Sequence, residues 1–175
     1  MTAWANLCEN PHFADAPFKF HLTVLGQIIL TPRNMVRSAL IPSIGGAIDD
    51  QKLGGKSFIS LAVVTAQGVF TVDFAWFSDP SRIDMDAAAA EKAPDICVEI
   101  VSPYEPLEDL HRRGAALLKA GAKEFWIVSL GGMVSFHSTP DLTCAMPRSL
   151  LAPGVPTKIR RGDPTAACRK TVYFT

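Results

Sequence analysis

The sequence predicts an α/β domain in which a mixed sheet is flanked by helices, and two features of the chain predict it. Residues 57–65 and 69–77 are apolar runs joined by a short turn that contains glycine, a pattern typical of an antiparallel hairpin. Residues 95–102, 106–120 and 124–129 have the patterns of a strand, a helix and a strand, which predict a right-handed parallel unit. A hairpin beside a parallel unit makes a mixed sheet.

Length and composition favour one domain. The 175 residues are enough to bury about two-thirds of the unfolded surface in one core, and no internal repeat divides the chain. We therefore expect a single domain over residues 1–175, with a core at about 17–160 and a basic tail at 158–175. No apolar run approaches the roughly 20 residues that cross a bilayer, and the N-terminus has no secretory-signal pattern. These features predict a cytoplasmic protein with no membrane partner.

The N-terminal elements follow from short-range patterns. Residues 18–31 run or alternate apolar around Gly26, which predicts a hairpin that ends at Pro32. Apolar residues then recur at steps of four through residues 34–48, which predicts a helix, although Pro42 and a pair of glycines oppose it. These two elements open the domain.

Further elements follow the hairpin of residues 57–77. The polar, alanine-rich residues 78–93 predict an irregular connection, and residues 133–137 are expected to pair with the strand at 124–129. Four prolines after Ser138 indicate loop, with a final strand predicted at residues 171–174. The core order is therefore helix, three strands, helix and strand, or αβββαβ.

The balance of charge gives no direct argument for a nucleic-acid partner. The chain has 17 basic and 17 acidic residues; up to Pro147 there are 11 basic against 16 acidic, and from Arg148 onward 6 against 1. The basic tail favours either phosphate contacts or an ordinary solvated segment. The four cysteines and four histidines have no spacing typical of a zinc site.

Two acids interrupt apolar strands. Asp73 lies within VFTVDFAWF and Glu99 within ICVEIV, where an unpaired carboxylate would cost several kcal/mol. Each acid therefore needs either a cation within the fold or a metal ion. Because neighbouring strands lie about 4.8 Å apart, Asp73 and Glu99 can converge on one divalent cation, and hard oxygen ligands favour Mg²⁺ or Mn²⁺.

At these residues the chain resembles a known family. APDICVEIVSP, followed by a helix and AGAKEFWIV, is similar to the core of a widespread bacterial family of restriction-endonuclease-like proteins in the PD-(D/E)XK superfamily. The resemblance extends over most of residues 17–160, through the segments FKFHLTVLGQIILTP, VVTAQGVFTVDFAW and SLLAPGVPTKI. It implies a restriction endonuclease-like αβββαβ core with flanking helices and an N-terminal hairpin, in agreement with the order of elements above.

The resemblance assigns roles to three residues. Asp73 takes the place of the family's first acid and Glu99 that of its second, so that both are the expected metal ligands. The place of the family's catalytic lysine holds Arg113, and that of a following tyrosine holds Leu117. Arg113 can supply a positive charge, but it cannot act as a base because its pKa is above about 12.

Three further positions depart from the family pattern. Ser60 stands where the family often has a glutamate, Arg37 where it has a histidine, and Tyr104 where it has a serine. Ser60 removes a potential third carboxylate and weakens the expected metal site. Arg113 has a second interpretation, as the partner of Asp73 or Glu99 in a buried ion pair of a fold that has lost catalysis.

The resemblance therefore implies an endonuclease that hydrolyses DNA phosphodiester bonds with Mg²⁺ or Mn²⁺, weak or inactive because the family lysine is replaced by Arg113. The alternative is a catalytically dead nuclease fold that serves as a binding or interaction module. Metal occupancy, together with the role of Arg113, separates the two. The sequence decides neither the DNA target nor whether the protein forms a homodimer.

Overall fold

The computed structural model describes residues 2–14 and 16–160. Within these ranges it contains four α-helices and seven strands. In chain order they are α1 (Thr2–Glu9), α2 (Pro11–Ala14), β1 (Phe18–Thr23), β2 (Ile28–Pro32), α3 (Met35–Asp49), β3 (Lys56–Thr65), β4 (Gly68–Phe77), β5 (Ile96–Ile100), α4 (Leu107–Lys119), β6 (Glu124–Val128) and β7 (Val134–His137). A short 3₁₀ turn, Pro80–Arg82, lies in the connection between β4 and β5.

The seven described strands form one sheet in the order β2-β1-β4-β5-β6-β7, with β3 on the other edge of β4. The hairpins β1–β2, β3–β4 and β6–β7 are antiparallel, while β5 and β6, which α4 connects, are parallel. The predicted mixed sheet and the predicted αβββαβ order, here α3-β3-β4-β5-α4-β6, are confirmed. The predicted N-terminal hairpin is confirmed as well.

Helix α3 forms in spite of its internal proline and glycines. The side chain of Asn34 caps its N-terminus by accepting a 2.9 Å hydrogen bond from the backbone N–H of Arg37. Pro42 lies on the exposed side of the helix. Gly45 faces the ring of Phe74, where a Cβ atom would lie 3.3 Å from the ring. The small residue therefore brings α3 close to β4.

Both faces of the sheet are covered. One face packs on α3 and on the closing segment of the chain, through buried residues that include Leu40, Ile44, Ile48, Trp126, Phe136 and Val155. The other face packs on α4, through buried residues that include Leu110, Leu117, Leu118, Phe125 and Ile127. The amphipathic pattern of α4 and the apolar strands dictate this sandwich because each helix must bury its apolar stripe.

The N-terminal helices α1 and α2 are a difference from the prediction. Trp4 and Leu7 of α1 are buried against β3 and β4, where they meet Ala62 and Val69. With 8 and 4 residues the two helices are too short to give a periodic pattern. The predicted strand at 171–174 and most of the basic tail lie outside the described residues. No helix in the described ranges is long and apolar enough to cross a bilayer.

Candidate active site

The candidate site lies where β1 and β5 separate along one edge of β4. Residues 21–23 of β1 pair with residues 68–70, and residues 96–98 of β5 pair with residues 74–76. Because β3 pairs along the other edge of β4, strands β1 and β5 must share the remaining edge. Residues 71–73 of β4 pair with neither β1 nor β5. The sheet therefore opens into a fork in front of Asp73.

Side chains satisfy the backbone groups that the fork leaves without ladder partners. The N–H of Thr71 donates to Nδ1 of His21 at 3.2 Å, and the N–H of Ile100 donates to Oδ2 of Asp73 at 2.8 Å. Burial, together with nearby cationic side chains, holds the pKa of His21 well below its usual range. The imidazole is therefore neutral and can accept the hydrogen bond at Nδ1.

Asp73 and Glu99 come from neighbouring strands, β4 and β5. The last ladder pair towards the fork is Phe74 with Val98, and one further step in the same register sets Asp73 opposite Glu99. Both carboxylates are almost completely buried, with 2% of Asp73 and none of Glu99 exposed. The strand pattern of the sequence thus placed both acids correctly on adjacent central strands.

Lys19 joins the two acids. Its Nζ atom, on the first part of β1, lies 3.1 Å from Oδ1 of Asp73 and 2.5 Å from Oε2 of Glu99. The side chain of Lys19 is 4% exposed, so the ammonium lies in the core with its two partners. We call these three residues, Lys19, Asp73 and Glu99, the ion triad.

Sequence reasoning missed Lys19. In FKFHLT the apolar residues Phe18, Phe20 and Leu22 alternate with Lys19 and His21, which predicts that the lysine faces solvent. In the structure Lys19 and His21 are instead the buried residues of β1. The available signal was the need of two buried acids for a cation, which says that a partner exists without saying where in the chain it lies.

Two arginines flank the ion triad from opposite helices. On α3, Arg37 places Nε 3.4 Å from Oδ2 of Asp73 and donates from Nη2 to the Ile100 carbonyl at 3.1 Å. On α4, Arg113 places Nε 3.8 Å from Oε1 of Glu99, which is an ion pair without a hydrogen bond. Both arginine side chains are buried, with 4% of Arg37 and 5% of Arg113 exposed.

The principal partner of Arg113 is Glu105. The guanidinium forms a bidentate pair with that carboxylate, in which Nη1 contacts Oε1 and Nη2 donates to Oε2 at 2.8 Å. Arg113 thus approaches Glu99 from the helix that follows it, as its position on the helical wheel predicts. Arg113 lies 3.8 Å from Glu99, whereas Lys19 lies 2.5 Å from it, so the lysine is the closer cation.

The charges around the triad separate the proton affinities of its two acids. Burial works to raise the pKa of Asp73, but the charges of Lys19 and Arg37 and the Ile100 N–H outweigh it and hold that pKa below its usual range. Burial and the neighbouring charge of Asp73 raise the pKa of Glu99 to about 6, against the opposing effect of Lys19 and Arg113. Asp73 is the more firmly ionised of the two.

A divalent metal fits the acids in kind but competes with Lys19 for them. Mg²⁺ binds through one or two carboxylates and keeps several waters, so two acids suffice in number. Oδ1 of Asp73 and Oε2 of Glu99 already accept from Lys19, while Oε1 of Glu99 has no hydrogen-bond partner in the described part of the chain. The described residues contain no group of three or more histidine, cysteine, aspartate or glutamate side chains arranged for a metal. The metal assignment of Asp73 and Glu99 stays a prediction.

Ser60 lies beside the site. It falls between the pairs Ile59 with Phe74 and Leu61 with Val72, so it is in register with Asp73 but forms no ladder pair with it. Its φ of 55° places it in the left-handed region, and its side chain is exposed. A cavity of about 240 Å³ opens here, and Lys19, Arg37 and Asp73 line it together with Ser60. Two members of the ion triad, Lys19 and Asp73, are thus reached from this cavity.

Comparison with known proteins shows the fold. The structure is similar to the crystal structure of a protein from Anabaena variabilis ATCC 29413 that is named a putative nuclease belonging to DUF820, with a TM-score of 0.59. The two sequences are 18% identical, and the match covers 76% of this chain and 83% of that one. No family model and no curated protein matches the sequence. The mixed α/β architecture of this chain is therefore that of a nuclease-like fold.

Proposed function

We propose that this chain is a nuclease that hydrolyses phosphodiester bonds of DNA with Mg²⁺ or Mn²⁺. The observation that carries the proposal is the ion triad, in which two buried carboxylates and one ammonium meet at a fork of a nuclease-like sheet. Two carboxylates for a metal and a lysine beside them are the groups that this reaction requires. Arginine in place of lysine at position 113 of α4 therefore removes no necessary charge.

Each member of the triad has a proposed role. Asp73 and Glu99 would hold the metal, which polarises a phosphoryl oxygen and activates a bound water when it is present. Lys19 would balance the negative charge that develops on the phosphoryl oxygens as water attacks and the P–O bond breaks. Arg113 would act as a positioning residue, since it is held by Glu105 and contacts Glu99 only at 3.8 Å. Arg37 would position Asp73 in the same way.

One observation favours a second function. Lys19 already neutralises the carboxylates at short distance, so the site is stable as an ion triad without any metal. A fold that had lost catalysis would retain such a triad as part of its core. The alternative is therefore a binding or interaction module built on a nuclease-like fold.

Nicking of supercoiled plasmid DNA by the purified full chain, in Mg²⁺ and in Mn²⁺, tests the proposal. We expect nicking by the natural protein and a loss of roughly 100- to 1000-fold in Lys19→Met and in Asp73→Asn, since each removes one preorganised group. Arg113→Lys keeps the positive charge and should change the rate by less than about tenfold.

Arg112→Ala is the matched control, because Arg112 is the neighbouring arginine of α4 and is exposed to solvent. It should nick at the rate of the natural protein. A natural protein that nicks DNA while Asp73→Asn leaves its rate unchanged would contradict the site. Binding without any cleavage in either metal would favour the interaction module.

A further inference from the structure

Two cavities adjoin the ion triad and share part of their walls. The first, which we call the cationic cavity, has a volume of about 240 Å³, and its polar lining consists of Lys19, Arg33, Arg37, Ser38, Ser60 and Asp73. The second, which we call the aromatic cavity, has a volume of about 370 Å³ and is walled by Trp4, Leu7, Phe13, Phe20 and Leu61. Lys19, Arg33, Ile59 and Ser60 line both cavities. The two spaces are therefore contiguous at Lys19.

The cationic cavity has the charge of an anion site. Three cationic side chains line it against the single carboxylate of Asp73. The guanidinium of Arg37 is buried, and its Nη1 atom has no hydrogen-bond partner in the described part of the chain. The side chain of exposed Arg33 forms no ion pair with any described residue. Arginine binds phosphate oxygens through paired N–H groups, and exposed Arg33 offers such groups to a phosphate in this cavity.

The aromatic cavity offers flat apolar walls beside that charge. Phe13 and Phe20 meet edge to face, with ring centroids 5.5 Å apart, and the indole of Trp4 is fixed by a 2.9 Å hydrogen bond from Nε1 to the Ala88 carbonyl. Phe13 and Phe20 are only partly buried, and such aromatic faces are the surfaces on which nucleobases stack. Together the two cavities have the roughly 300 to 1,000 Å³ typical of small-molecule sites.

We infer that the two cavities form one nucleotide site, with a phosphate in the cationic cavity and a base in the aromatic cavity. The ligand chemistry is a phosphate monoester joined through a sugar to a nucleobase, present either in a free mononucleotide or at the phosphorylated end of a nucleic-acid strand. The inference rests on the proposed function for its place beside Asp73 and Glu99. It deepens that function because it assigns the groups that hold the terminal nucleotide.

Calorimetric titration of the full chain in EDTA tests the inference without any cleavage. The probes are deoxyadenosine 5′-monophosphate, inorganic phosphate and deoxyadenosine. The monophosphate should bind at least about tenfold more tightly than either fragment, because it alone fills both cavities.

Two variants separate the contributions of the cavities. Arg33→Ala should weaken the binding of the monophosphate and of inorganic phosphate alike, by about tenfold, because it removes a charge-assisted contact. Phe13→Leu should weaken the binding of the monophosphate about fivefold or more and leave the binding of inorganic phosphate unchanged, because it alters only the aromatic wall. Arg112→Ala, which removes an exposed arginine that lines neither cavity, should bind all probes as the natural protein does.

Oligonucleotides identify the source of the nucleotide. Tighter binding of a 5′-phosphorylated oligonucleotide than of the monophosphate supports a strand end, and the reverse order supports a free nucleotide. The inference is overturned if the monophosphate binds no more tightly than inorganic phosphate, or if Phe13→Leu weakens both probes equally. Failure to nick plasmid DNA contradicts the proposed function alone, since the titration needs no hydrolysis.

Discussion

Lys19 donates a 2.5 Å hydrogen bond to Glu99 across the fork between β1 and β5, and the two residues are 80 positions apart in the chain. The ammonium also lies 3.1 Å from Asp73, so one cation closes the gap that the diverging strands leave. Fully buried ions are costly unless each finds a partner of opposite charge. The ion triad therefore couples the N-terminal hairpin to the central strands and is at once the candidate site and part of the core.

Replacement of Lys19 by methionine should destabilise the protein by about 3 to 5 kcal/mol, because it leaves two buried carboxylates facing each other without the cation that bridges them. Urea unfolding in EDTA, followed by far-ultraviolet circular dichroism, measures the loss. Lys119→Met, at an exposed position near the end of α4, is the matched control and should change stability by less than about 0.5 kcal/mol. A loss below about 1 kcal/mol in Lys19→Met would show that the triad contributes little.

The same variant should bind Mg²⁺ more tightly than the natural protein does, because the ammonium no longer competes for Oδ1 of Asp73 and Oε2 of Glu99. Since a ligand that binds only the folded state stabilises it, millimolar Mg²⁺ should recover part of the lost stability of Lys19→Met. Thermal unfolding with and without Mg²⁺ compares the two proteins. Equal shifts in both would contradict competition between Lys19 and the metal.

The proton affinity of Glu99 predicts a pH dependence of stability. Its pKa is raised to about 6 in the folded protein from 4.5, so the folded state holds the proton more firmly than the unfolded state. Between these two values the folded state binds more protons, and stability therefore falls as pH rises. This loss of stability amounts to about 2 kcal/mol and is complete above about pH 6.

Glu99→Gln should remove this dependence, because the amide does not titrate in that range. The stability of the natural protein relative to Glu99→Gln should therefore decrease between about pH 4.5 and pH 6.5 in urea unfolding. Glu108→Gln, at an exposed position of α4, is the control and should run parallel to the natural protein. Asp73 acts in the opposite direction, since its lowered pKa gives stability that is lost as pH falls below its usual range. A stability difference that stays constant with pH would contradict the raised pKa of the buried Glu99.

The packing of α4 predicts that Gly114→Ala is destabilising. A Cβ atom at Gly114 would lie 2.5 Å from Cε1 of Phe125, so either the helix that carries Arg113 or the buried ring of Phe125 must shift. We expect a loss of about 1 to 3 kcal/mol in chemical unfolding. Gly45→Ala is the matched comparison, because its nearest contact is 3.3 Å and alanine favours the helix; it should be nearly neutral. Equal effects of the two substitutions would contradict the close packing of α4.

Local patterns in the sequence were sufficient for the sheet and its helices. The apolar runs of β3 and β4, the β-branched run of β5 and the stripe of α4 are properties of a few adjacent residues, and each decided its own element. Asp73 and Glu99 were found for the same reason, since an acid within an apolar strand is visible without knowledge of its neighbours. Helix α1 was missed because its 8 residues give no period.

The tertiary structure alone decided which cation meets those acids. The alternation in β1 predicts that Lys19 is exposed, yet the fork in the sheet turns it inward, against residues 54 and 80 positions away. The meeting of Arg33, Arg37 and Ser60 around one cavity likewise depends on how separate parts of the chain pack. The sequence determined that two buried charges needed partners, because desolvation is a property of each residue's own strand. Only the fold could choose the partners, because electrostatic pairing depends on distance in space and not on position along the chain.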